Sequence, residues 1–303
     1  MTLEDNDTKS GAAHDYFTYS LYEYTPTVIA GGSTLASSTT YSGGNSRIAT
    51  VGSSLTIAGG VAQLGGTGGD QLYDGSSVTV TSGAFDTNAR SETINNLSLA
   101  GTGISRKGAL VNDASSGAAS LTVSGTTTLT ANASVGVTNS AASMTLTSDV
   151  TGASTLGKVG AVTLTVISKT TNGIAPGRIH VQGGTLLLGS SNIIAHSTPI
   201  TLSGGPFATG INGETIGALT LSATSRIDPG TYSLGQLIFA NSSAQSWTSA
   251  QTFFIDNRRQ GRRHLLWRER AHRMARTSAR CEELSILRSL SLQPMAERLQ
   301  REL

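Results

Sequence analysis

One cysteine, Cys281, stands alone in 303 residues, which excludes an intramolecular disulfide framework. Charged residues are scarce, 13% of the chain against about 25% in an ordinary soluble protein. Aromatic residues reach only 5% and prolines number six. No apolar run approaches the roughly 18 residues of a membrane-spanning helix. The amino-terminal stretch MTLEDNDTKSGAAHDYF has no basic segment followed by an apolar one, so it does not read as a secretion signal.

Small polar residues fill the space that charge leaves. Gly, Ser and Thr separate short apolar–polar alternations such as Leu-Thr-Val and Val-Thr-Val. Thr and Val favour extended backbone, and Gly and Asn accept the left-handed corners between strands. Leu55/Ile57, Val78/Val80, Leu97/Leu99, Leu121/Val123, Val162/Leu164/Val166 and Leu219/Leu221 are all spaced by two, the period of a half-buried strand. Many short strands with close turn signals predict an all-β chain.

Three zones differ in chemistry. Residues 1–30 hold Tyr16, Tyr19, Tyr22 and Tyr24 ahead of Pro26, a pattern suited to a strand capping the end of a repeat array. Residues 31–257 form the Gly/Ser/Thr-rich zone. Residues 258–303 contain 12 Arg, no Lys and 5 Glu, a net of +7. The whole chain carries +2, which leaves −5 on residues 1–257. In the tail, Leu265, Leu266, Met274, Leu284, Ile286, Leu287 and Leu290 follow a loose helical spacing interrupted at Pro294, so a short basic helical or disordered segment is expected there.

The β zone repeats itself. LTIAGGVAQLG from Leu55 matches IHVQGGTLLLG from Ile179, with Gly59-Gly60 on Gly183-Gly184. VTVTSGAFDTNARSETINNLSL from Val78 matches ITLSGGPFATGINGETIGALTL from Ile200, with Phe85 on Phe207 and Glu92 on Glu214. Repeats of this kind specify stacked rungs whose inward side chains form ladders. The expected architecture is a right-handed parallel β-solenoid over residues 31–257.

VQGGTLLLGSSNII (181–194), FATGINGETIGALTL (207–221) and LIFANSSAQSWTSAQTFFIDN (237–257) resemble the autotransporter-associated β-strand repeat proteins. The resemblance covers roughly residues 45–257. It implies a β-helical passenger segment, exported by a translocator barrel and displayed at the surface of a Gram-negative-type cell as a stalk or adhesin. Host or neighbouring-cell surfaces, or extracellular polysaccharide, are the implied partners, and no nucleic acid is expected. Family members tend to continue with further β segments after Asn257, whereas this chain turns to RRQGRRHLLWRERAHRMARTSARC. That change is what out-of-frame translation of a GC-rich gene produces. The export signal and the barrel are expected on sequence outside this chain.

Chemistry-bearing constellations are sparse. Gly65-Gly66-Thr67-Gly68-Gly69-Asp70-Gln71-Leu72-Tyr73 fits one copy of a calcium-binding nonapeptide, with Asp70 and the nearby Asp74 as candidate ligands. One copy supplies too few oxygens for a calcium shell, and the simpler reading is a glycine-rich inserted loop. Asp86, Arg90, Glu92, Asp113, Asp149 and Glu214 are scattered singly, unlike the clustered acids of polysaccharide-cleaving enzymes. Glu92 and Glu214 share one repeat position, which favours a structural role. His180, His196, His264 and His272 show no metal spacing, and no G-x-S-x-G accompanies the many serines. No catalytic residue, cofactor or metal is therefore assigned. The alternative to a non-catalytic surface segment is a carbohydrate-binding or carbohydrate-active β-helix, which requires a groove of acids or aromatic platforms.

Overall fold

The computed structural model describes residues 39–41, 54–64, 72, 74–230 and 235–257. The expected amino-terminal cap strand (1–30), Asp70 and the Arg-rich tail (258–303) lie outside them. Over the described residues the chain is all-β and winds into a parallel solenoid of about 8 turns.

Every strand pairing is parallel, and the pairings follow three continuous runs that make up three faces. Face 1 passes from Leu55/Ile57 to Val78/Val80, Leu97/Leu99, Thr127/Leu129, Val150 and Ile174, and on to Ile194. Glu214–Ile216 pairs with Leu237–Phe239 at its end. Face 2 passes through Ala62, Phe85, Leu110, Val135, Lys158, Val181, Leu202 and Leu221. Face 3 passes through Glu92, Leu121, Leu146, Val166 and Leu188, then Phe207, Ile227 and Ile255.

The residue pattern explains this winding. Alternate residues of each strand point inward and stack on their equivalents one turn away, about 4.8 Å along the axis. Ile57, Val80, Leu97, Leu110, Leu121, Val135, Val181 and Leu202 have no accessible surface. Outward positions carry Thr and Ser, such as Thr56, Thr79, Ser98, Thr128 and Thr151 along face 1. The predicted Val162 falls just outside its strand, Leu164–Ile167, and packs half-buried against the core.

The sequence repeats do not superpose whole turns. Val78 lies on face 1, whereas its repeat mate Ile200 lies on face 2. Five turns separate Val78 from Ile194 on face 1, and the chain then rounds one more corner to Ile200. Leu55 and Ile179 are displaced in the same way. What recurs is a strand–corner–strand module, and one module serves different faces. Gly60 turns the corner from face 1 to face 2 with φ 63°, and its mate Gly184 turns the next corner, from face 2 to face 3, with φ 56°. Both need the left-handed backbone that glycine adopts without penalty.

Candidate functional site

The chemistry of the described residues concentrates where polar groups interrupt the inward ladders and corners. Glu92 occupies an inward position of face 3 and is 3% exposed. Its two carboxylate oxygens accept the backbone N–H of Leu72, each at 3.1 Å. Glu214 does the equivalent on face 1. Its Oε2 accepts the N–H groups of Ile193 and Ile194 at 2.8 and 3.2 Å, and Oε1 accepts that of Thr215. Burial pushes the Glu214 carboxyl up from its ordinary range, against the opposing pull of these three N–H bonds and of His196. The shared repeat position thus corresponds to a shared structural role, that of a buried carboxylate closing backbone donors of the preceding turn.

Lys158 is the feature that the sequence pattern conceals. It lies in the inward ladder of face 2 between Val135 and Val181 and is 1% exposed. Its Nζ donates to the carbonyls of Val159, Gly160 and Gly183 at 2.6, 3.2 and 2.9 Å. Burial lowers its pKa to about 8. Alternation alone assigned no role to a lysine flanked by Gly157 and Val159.

At the corner between faces 2 and 3, Asp86 and Asp113 come together from adjacent turns. Asp86 is buried. Its Oδ1 accepts the N–H groups of Asn88 and Asp113, and its Oδ2 accepts Gln63 Nε2 at 2.7 Å. Asp113 accepts the Thr138 hydroxyl and pairs with Lys107. Asn112 accepts Ala89 N–H and donates to Ser143 O, and Asn139 donates to the carbonyls of Asp113 and Ala114. Asp149, at the start of face 1 two turns on from Leu97, holds the loop after face 3. It accepts Ser168 Oγ, Lys169 N–H, Thr170 N–H and Thr170 Oγ1. Partial burial would raise its pKa, but the four hydrogen bonds outweigh that and hold the carboxyl below its usual range.

His180 projects outward from face 2 beside Thr201, half-buried, with Nε2 2.6 Å from Ser203 Oγ. Burial and the neighbouring Arg178 lower its pKa. Ser203 in turn contacts Ser222, which donates to Leu202 O. Three hydrogen atoms serve all three contacts only when the imidazole donates. Ser203 then gives its proton to Ser222 rather than to a base, so this cluster stitches turns together and does not activate a nucleophile.

Asp74, the described member of the calcium candidate, is exposed. Leu72, between Asp70 and Asp74, is buried at 1%. Among the described residues no group of three or more His, Cys, Asp or Glu side chains gathers in metal-binding range. Trp247 sits at the last described turn. Its ring packs edge-on against Phe253 at 5.8 Å, and its Nε1 donates to Leu219 O. The indole thus packs partly buried against the edge of the core.

Comparison with protein-family models, with curated proteins and with solved structures finds no match for this chain. The class that the fold defines is the parallel β-solenoid.

Proposed function

We propose that the chain is a non-catalytic segment of a secreted, surface-displayed passenger of the autotransporter kind, acting as a shaft that spaces or presents an adhesive surface. One observation carries this reading: the buried carboxylates Asp86, Glu92 and Glu214 and the buried Lys158 are engaged with backbone groups of their own and neighbouring turns. Hydrolytic cleavage of a polysaccharide canonically uses two carboxyl groups facing the substrate across a gap of several ångströms. The motifs that resemble the passenger repeats also fall on the strand–corner–strand modules of the solenoid, which supports the same reading. About 8 turns at about 4.8 Å each give a shaft on the order of 40 Å.

Two experiments test this. Purified chain incubated with a panel of bacterial and plant polysaccharides should release no new reducing ends; turnover of any of them would defeat the non-catalytic part. Antibody against the chain should label intact cells of the source bacterium as strongly as lysed ones, and label confined to lysates would defeat surface display.

A further inference from the structure

The turn containing Leu97–Gly101 and Leu110–Asn112 carries an excursion between faces 1 and 2 that the turns on either side of it lack. Val78 pairs with Leu97 on face 1, nineteen positions on, whereas Phe85 pairs with Leu110 on face 2, twenty-five on. The extra residues form Thr102-Gly103-Ile104-Ser105-Arg106-Lys107-Gly108. Ile104, Ser105, Arg106 and Lys107 are four consecutive exposed residues. Few contacts close the loop: Gly108 N–H to Thr102 O at 2.9 Å, Lys107 N–H to Ile104 O at 3.1 Å, and the Lys107–Asp113 surface ion pair. Exposed pairs of this kind contribute little. Ser105 and Arg106 hold φ of 53° and 61°, left-handed conformations that cost non-glycine residues energy and are relieved when the segment extends. Gly103 and Gly108 flank them with φ of 73° and 128°, and Gly108 is buried against the backbone of Gly136. Anchoring begins at the carboxyl end of the loop: Lys107 O rests over Gly136, where a Cβ would stand only 1.6 Å away, and beyond it Ala109 and Leu110 have no accessible surface.

We propose that this loop is a processing site for a protease of the trypsin class, one that cleaves after basic residues, and that the cut at Arg106–Lys107 leaves two chains held together as one solenoid. Water adds across the Arg106–Lys107 peptide bond, giving a carboxylate on Arg106 and an amine on Lys107. The protease must draw its substrate into extended form, which the exposed and strained residues Ile104–Arg106 favour. The other described basic residues are less suited. Arg90 has both backbone groups held, its N–H donating to Thr87 O at 2.8 Å and its carbonyl accepting Ser120 N–H at 3.1 Å. Lys158 is buried, Arg178 and Arg226 lie within paired strands, and the backbone at Lys169 is pinned by Asp149. No strand ladder is severed by the cut, because Leu97–Gly101 and Leu110–Asn112 each keep their pairings to the turns on either side.

The test is timed digestion of the full chain with trypsin under native conditions, read by intact mass and peptide mapping. Cuts in residues 1–53 and 258–303 are scored separately by mass. Within residues 54–257 the first cut is expected after Arg106 or Lys107, at least tenfold faster than after Arg90, Lys169, Arg178 or Arg226. The two fragments should co-elute on size exclusion with unchanged far-UV circular dichroism. Arg106→Gln/Lys107→Gln should slow this cut at least tenfold without speeding any other. Comparable rates at Arg178 or Arg226, or separation of the fragments without denaturant, would overturn the proposal.

Discussion

At the residue scale the informative groups are the charged side chains placed in a core that alternation would fill with aliphatics. Three carbonyls around Lys158 favour the ammonium, and burial disfavours it; burial prevails and the pKa falls to about 8 from 10.5. Between those two values the unfolded chain binds a proton that the folded one has released. Stability therefore rises with pH across that window, by up to about 3 kcal/mol at roughly 1.4 kcal/mol per unit. Urea unfolding at pH 7.5, 9 and 10.5 should show the rise, and Lys158→Met should flatten it. Glu214 behaves differently. Its raised pKa means that stability increases as pH falls from neutral toward 4.5, because the folded state takes up a proton first. Glu214→Ala leaves the N–H groups of Ile193 and Ile194 without their carboxylate, a loss of about 1–3 kcal/mol for each buried donor, measurable as a lower urea midpoint.

At the scale of the element, the strand–corner–strand module explains both the repeat and the tolerance of its variation. Inward positions must be apolar and well filled, so Leu146→Ala, from a residue 1% exposed, should cost about 2–5 kcal/mol. Corners tolerate less. Gly83 has φ 91°, and a Cβ there would stand 2.4 Å from Gly60 O. Gly83→Val should destabilise by more than the Leu146 truncation, because it combines a backbone clash with a conformation that β-branched residues avoid. A thermal melt that ranks the two variants in the opposite order would contradict this account of the corner.

At the scale of the molecule, a solenoid gains stability from each turn's contact with its neighbours rather than from one central core. The long strands Ser116–Val137 and Ala141–Val159 pair over most of their length, while Leu237–Phe239 and Phe253–Ile255 are three-residue strands. Hydrogen exchange should therefore be slowest across 116–159 and fastest toward 237–257. Uniform protection along the chain would argue for a single cooperative unit.

Alternation of Leu, Ile and Val with Thr and Ser, with glycine at the corners, determined the all-β class, the parallel stacking and the apolar positions of the ladders. These follow from a period of two and from backbone freedom, both local properties of the chain. The matched repeats also gave Glu92 and Glu214 one structural role before any contact was visible. Which face each module occupies depended on how many residues each corner uses, a sum over many turns that no local pattern records. Lys158 entered the core, and Asp86 met Asp113, because strands 23 to 27 residues apart stack directly. Such neighbours are made by winding, so only the tertiary structure could show that a chain so poor in charge places Asp86, Glu92, Lys158 and Glu214 inside.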